Sequence, residues 1–255
     1  MRLLEVPAGG PRQAAWADRY EAAHRDVFDV YYDGRGDPSL RSEAADTVEA
    51  LVGGIQEREG RAAGLVRSTA AAMHERGLLD RPWLPTVLMV GGGTANGWVA
   101  PYAGEPALFL ALENFPPSPY DAVLVAHEAA HVAHARASGI TWPASVGEMA
   151  FIEGLAVAVS RELCPGLTAS AYFWFDGDHD AWVQDCERRA GAIEAVAVAA
   201  LETRDPAVLG RLFEGAAQPV SVPSRAGYWF GDRAVRRALE SRSLTDLFRL
   251  DCLPV

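Results

Sequence analysis

The stretch VLVAHEAAHVAHA, residues 123–135, predicts a buried helix with two histidines on one face. His127 and His131 are four residues apart, so on a helix they lie about one turn from each other. Their imidazoles can then reach one zinc ion at ~2.0–2.1 Å. Glu128 follows the first histidine and can accept a proton from water on the metal.

His134 lies two turns from His127, roughly 10 Å along the axis, and we expect it to support the site or the core. The alternative is an ordinary core helix.

The third metal ligand must come from another segment, and FIEGLA, residues 151–156, offers Glu153. This residue lies inside an apolar helix, where a carboxylate is costly unless it is paired or bound to metal. Glu148 is the competing ligand, but it lies near the start of that helix, where the helix dipole favours an acid anyway. The predicted zinc ligands are therefore His127, His131 and Glu153. The neighbouring glycine, residue 154, would permit a close approach of another helix.

Composition limits the class of protein and its partners. The 255 residues carry a formal net charge of −11, which argues against nucleic acid and anionic membranes as partners. The first residues form no apolar run of signal-peptide length, no segment is apolar enough to span a bilayer, and the three cysteines are widely spaced. We expect a cytoplasmic protein whose chain, 1–255, forms a single domain, with a helical part at 1–80 and a sheet plus metal-binding helices at 81–255. The oligomeric state is not predicted.

The pattern of elements predicts an α+β fold, mostly helical, with a small sheet beside the metal-binding helix. Helical periodicity runs from Gln13 to about Met73, and the glycines at 60 and 64 are expected to interrupt or end the second helix. WLPTVLMVGGG and NGWVAPYAGEPALFLALENF then read as three short strands. The helices expected after the sheet are 120–138, 145–163, 180–202, 206–214, 226–240 and 243–249.

HEAAH combined with EGLA resembles the gluzincin group of zinc peptidases, whose third ligand is a glutamate on the following helix. Over residues 85–240 the chain also looks like DUF2268, a bacterial family of zinc-dependent proteases. The stretches that carry this likeness are VGGGTANGWVAPYAGEPALFLALENF, LVAHEAAHVAHA, FIEGLAVAVS and AGYWFGDRAVRRALE. The resemblance implies a zincin-like core. Thermolysin-like gluzincins often have an aspartate where this chain has Val157, so the residue that orients His127 must differ.

The resemblance also implies that an edge strand lines the cleft and can pair with an extended peptide. In this chain that strand would be ALFLALE, residues 107–113. Phe109, Ala111 and Asn96 are accordingly candidates for substrate contact. A buried strand without a role in binding is the alternative.

A donor to the developing oxyanion is expected near SRAGYWFGDRAVRR, which offers Tyr228 and Arg225. The resemblance points to Tyr228, because a GYxxG element follows the zinc motif in the family. A buried aromatic residue whose hydroxyl bonds to the backbone is the alternative.

The expected function is that of a zinc-dependent metallopeptidase with Glu128 as general base, acting on a peptide or a small amide. One alternative is a zinc hydrolase that acts on a non-peptide amide or a small metabolite in a biosynthetic pathway. The other is a non-catalytic, zinc-stabilised binding domain, and this domain would not need Glu128.

Overall fold

The computed structural model describes residues 3–140, 144–214 and 222–252, which are mostly helical with one three-stranded sheet, an α+β architecture. The chain forms two compact units. The first unit comprises Met1–Ser68 and Trp83–Pro117, and the second comprises Thr69–Pro82 and Ser118–Val255. Within the described residues, every helix is too short or too polar to cross a membrane.

The first unit packs helices and the sheet around an aromatic core that includes Trp16, Phe28, Tyr31, Trp98 and Phe109. Its helices and strands are α1 (Gly10–Ala15), a π-helical turn (Trp16–Glu21), α2 (Arg25–Gly34), α3 (Arg41–Glu75, up to Ser68), β1 (Thr86–Met89), β2 (Gly97–Tyr102) and β3 (Glu105–Ala111). Its 3₁₀ turns are Leu3–Glu5, Pro38–Leu40 and Leu112–Asn114.

Helix α3 is continuous through Gly60 and Gly64, so the prediction that these glycines interrupt or end a helix is wrong. A glycine inside a helix costs about 1 kcal/mol relative to alanine, which weakens a long helix without stopping it. Neither residue adopts a positive φ. Gly77, at φ 71°, follows the end of the helix, where the left-handed conformation favours glycine.

Strand β3 is the central strand of the sheet, in the order β1-β3-β2. Phe109 is paired with Val87 of the parallel strand β1 and with Trp98 of the antiparallel strand β2. The prediction of an open edge strand at 107–113 is therefore wrong, because neighbouring strands occupy both sides of β3. Phe109 and Ala111 are also buried, with 0% and 1% of their surface exposed, so their side chains have no surface to offer a substrate.

The second unit consists of helices, and most of them lie where the sequence predicts. They are α4 (Tyr120–Ser138), α5 (Val146–Leu163), α6 (Ala169–Trp174), α7 (Asp180–Arg188), α8 (Ala190–Ala199), α9 (Pro206–Leu209) with a π-helical continuation (Gly210–Glu214), α10 (Ala226–Leu239) and α11 (Leu244–Leu247). The single helix expected at 180–202 is two helices, because the backbone at Arg189 (φ −104°, ψ 16°) leaves the helical region. The sequence pattern did not predict α6.

Helices α4 and α5 run antiparallel. Val123 near the start of α4 accepts a hydrogen bond from Ser160 near the end of α5, whereas His127 further along α4 faces Glu153. Gly139, the residue that follows α4, has the left-handed conformation that ends the helix. Residues 141–143, in the connection between the two helices, lie outside the described residues.

Helix α5 crosses α10 at two glycines, Gly154 and Gly231. A Cβ atom on Gly154 would collide with the backbone of Gly231, and one on Gly231 would collide with the carbonyl of Ala150. The two helices therefore approach until their backbones touch, as glycine at residue 154 permits. This contact fixes the position of Glu153, the residue before Gly154, relative to α10.

Replacing Gly154 with alanine should lower the free energy of unfolding by about 1–3 kcal/mol, because backbone atoms have to move to admit the methyl group. Gly191→Ala is the matched control in the same unit. Gly191 is exposed on α8 with no atom within 4 Å of an added Cβ, and the substitution should stabilise the helix by up to about 1 kcal/mol. Urea unfolding measures both effects, and equal shifts would contradict the close crossing.

Candidate metal centre

The structure brings His127, His131 and Glu153 together in the second unit. Oε2 of Glu153 lies 3.0 Å from Nε2 of His127 and 3.5 Å from Nε2 of His131. All three side chains are largely buried: the exposed fraction is 8% for Glu153, 3% for His127 and 10% for His131. In the part of the chain that the structure describes, no other group of three His, Cys, Asp or Glu side chains converges in this way.

These distances fit three ligands of one ion. Ligand atoms at ~2.0–2.1 Å from a tetrahedral ion are about 3.3–3.4 Å apart, and the measured distances of 3.0 and 3.5 Å fall on either side of that value. Two imidazoles and a carboxylate are also a donor set that divalent transition metals accept. The group could therefore hold a metal ion.

The two histidines keep the carboxyl group of Glu153 ionised. Burial alone would raise the pKa of this carboxyl, but the charge of His131 and hydrogen bonds from both imidazoles outweigh burial and lower the pKa well below its usual range. The ionised form, which is the form that binds metals, is thus the stable one inside an apolar helix.

His127 departs from the usual arrangement of a metal-binding histidine. Such residues commonly donate their second ring N–H to a carboxylate or a carbonyl, whereas Nδ1 of His127 is buried and has no hydrogen-bond partner among the described residues. Val157, at the position where thermolysin-like gluzincins often have an aspartate, is itself fully buried in the apolar core. Ring contacts must hold this imidazole instead.

The competing residues lie elsewhere. Glu148 caps the start of α5, where its Oε2 accepts from the backbone N–H of Ser145 at 2.6 Å, and it also pairs with Arg204. Nε2 of His134 lies 2.7 Å from the carbonyl oxygen of Leu250. Burial lowers the pKa of His134, which favours the neutral ring that donates to this carbonyl. Neither residue belongs to the candidate metal group, which consists of His127, His131 and Glu153 and is called the metal group below. The spacing argument predicts this.

Two aromatic rings flank His127. Phe175 meets it edge-on with ring centroids 5.2 Å apart, and the Tyr228 ring lies at 6.4 Å with the planes tilted by 30°. The structure thus places Tyr228 next to the metal group. Glu128 is 7% exposed and lies beside His127 on α4. The sequence pattern did not single out Phe175, because the residue follows a helix too short to show periodicity.

Asn96 belongs to the first unit, as do Phe109 and Ala111. Its side-chain oxygen accepts a hydrogen bond from the N–H of Gly97, and its carbonyl accepts one from Ala111. These bonds fix the start of β2. A role for Asn96 in substrate binding stays a prediction.

No family model, curated protein or solved structure matches this chain. The resemblance to DUF2268 proteases stays a prediction that rests on the quoted motifs.

Removing one of the three converging side chains should abolish tight metal binding. We expect about one divalent ion per wild-type chain supplied with Zn²⁺, and a loss of affinity of more than about 100-fold in Glu153→Ala, since even partners that only orient a ligand contribute 10- to 100-fold. Glu148→Gln, on the same helix, should bind as the wild type does. Elemental analysis measures the metal content of each protein, and competition with a chromogenic chelator measures its affinity for Zn²⁺. A wild-type chain without metal, or Glu153→Ala with undiminished affinity, would contradict the assignment.

Proposed function

We propose that this protein is a zinc-dependent hydrolase, and specifically a metallopeptidase. The observation that carries the proposal is the convergence of His127, His131 and Glu153 on one point between α4 and α5. Two histidines and one glutamate are the ligand set of catalytic zinc sites that keep a fourth position open. Structural zinc sites usually have four protein ligands, and the described residues offer three here.

Bound there, Zn²⁺ would polarise the scissile carbonyl and make water acidic enough to attack at neutral pH. The protein's own contribution begins with Glu128. This residue is 7% exposed and follows His127 on α4, and in the proposed mechanism its carboxylate takes the proton of the attacking water. The same group then delivers the proton to the leaving amine, as a general base that becomes a general acid.

Tyr228 is the donor for the negative charge that develops on the former carbonyl oxygen. Its ring lies 6.4 Å from the ring of His127, and α10 is fixed against α5 by the crossing at Gly231, three residues further along α10. A donor that is already positioned stabilises the oxyanion without reorganisation during the reaction.

The peptide substrate is inferred from the resemblance and not from an extended groove, since β3 offers no free edge. The metal group and its aromatic neighbours would serve any amide that fits beside them. The first assay is therefore a mixture of short, unstructured peptides whose cleavage is followed by mass spectrometry.

Glu128→Gln tests the proposal most directly. It keeps the shape of the side chain but removes its basicity, so metal content should be unchanged while turnover falls by about 10²-fold or more. Glu162→Gln is the matched control, because Glu162 is an exposed glutamate on α5 that pairs with Arg76, and it should leave turnover unchanged. Equal, measurable rates for wild type and Glu128→Gln would exclude Glu128 as the general base, whereas metal binding without turnover in either protein would favour the binding-domain alternative.

Tyr228→Phe removes only the hydroxyl and retains the ring. The expected result is a kcat reduced by about 10²–10³-fold with unchanged metal content, the range typical for loss of one oxyanion donor. Tyr172→Phe provides the comparison, because the Tyr172 hydroxyl bonds to the backbone of Cys164 and Leu167 and its loss should lower stability instead of kcat. An unchanged kcat in Tyr228→Phe would remove this residue from the mechanism.

A further inference from the structure

Arg225 lies directly before α10 and is stacked on two aromatic rings. Its guanidinium carbon is 4.4 Å from the ring centroid of Trp174 and 4.5 Å from that of Tyr228. Nη2 donates a hydrogen bond to the carbonyl of Phe173 at 3.1 Å. These contacts fix the plane of the guanidinium group.

The charge of Arg225 has no carboxylate partner in the described part of the chain, and its Nε is buried without a hydrogen bond. Other stacked arginines of this unit are paired with acids. Arg161 stacks on aromatic rings and lies 3.4 Å from Asp232, and Arg233 stacks on an indole and lies 3.7 Å from Glu187. In a chain with 34 acidic residues, a half-buried arginine without an acid suggests that the counter-ion comes from outside.

Arg225 and His127 of the candidate metal group lie beside the same aromatic ring. The Tyr228 ring that Arg225 contacts is also the ring 6.4 Å from His127. Arg225 (φ 58°) and Phe175 (φ 57°) are two of the three non-glycine residues with positive φ in the described structure. Such backbone strain is concentrated where a site has to be held in one arrangement, and Phe175 contacts His127 directly.

We infer that Arg225 binds a carboxylate of the substrate and thereby makes the site selective for substrates with a carboxylate near the scissile amide. The inference rests on the proposed hydrolase function and names its substrate class. A guanidinium group can donate two parallel N–H hydrogen bonds to the two oxygens of a carboxylate. Stacking on Trp174 and Tyr228 fixes the orientation of these donors before the substrate binds. The carboxylate belongs either to the C-terminus of a peptide or to an acidic side chain.

Three peptides of one sequence test this inference. The first has a free C-terminal carboxylate, the second is amidated, and the third is amidated with an aspartate next to the scissile bond. Wild-type kcat/KM should favour the first or the third over the second by about tenfold or more, the usual contribution of a hydrogen bond to a charged group. The favoured peptide identifies the source of the carboxylate.

In Arg225→Gln the ratio between the carboxylate and amidated peptides should fall to about one, whatever the absolute rate. Arg225→Lys keeps the charge without the fork and should retain part of the preference, which provides a second variant if Arg225→Gln does not fold. Arg188→Gln, at an exposed arginine on α7, is the control and should keep the wild-type ratio. A structural role alone would lower the rates for all peptides equally and leave the ratio unchanged, and this result would overturn the inference.

Calorimetric binding of the same peptides to the metal-free protein separates this inference from the proposed function. If no peptide is cleaved but wild type binds the carboxylate peptides more tightly and Arg225→Gln does not, the hydrolase proposal fails and carboxylate binding by Arg225 stands. If the amidated peptide is cleaved and bound as well as the others, the inference fails and the hydrolase proposal stands. Absence of both cleavage and binding overturns both.

Discussion

The backbone contact between Gly154 and Gly231 is the constraint on which the candidate site depends. Helix α5 lies against both α4 and α10, and side chains at the crossing would force α10 away from α5. Because Glu153 precedes one glycine and Tyr228 lies one helical turn before the other, this single contact sets the positions of a candidate metal ligand and of Tyr228, whose ring flanks His127. Glu153 and Tyr228 are far apart in the sequence and lie in one site because two glycines let their helices pack closely. Packing, and not polar attraction, brings them together.

The ionised Glu153 needs a partner because α5 is otherwise apolar around it. Isolated, the carboxylate would be neutralised by protonation instead of remaining charged in the core. His127 and His131 prevent this, and α4 can present both because they are one turn apart. The same arrangement explains why the group suits a cation, because three side chains that can each offer a ligand atom already face one another.

The parts that the sequence predicted are those that depend on local pattern. Helix α4 has the predicted bounds, and Glu153 was preferred to Glu148 on grounds that the capping role of Glu148 confirms. Strand order could not be predicted in this way, since hydrophobic alternation within β3 is the same for a central and an edge strand. The pairing of Arg225 with Trp174 was equally hidden, because the two residues are separated by 51 positions and meet only in the tertiary structure.

Nδ1 of His127 has no hydrogen-bond partner among the described residues, and two aromatic rings flank this imidazole. Without an acceptor at Nδ1, rotation of the imidazole has to be limited by shape, and Phe175 and Tyr228 supply that shape from different segments. Packing holds a ring in place only when the packed residues are themselves rigid. The strained backbone at Phe175 and the stacking of Arg225 on Tyr228 meet that condition. Arg225 therefore supports the candidate metal group through the Tyr228 ring, so a substrate carboxylate that pairs with Arg225 would also hold more firmly the ring that orients His127.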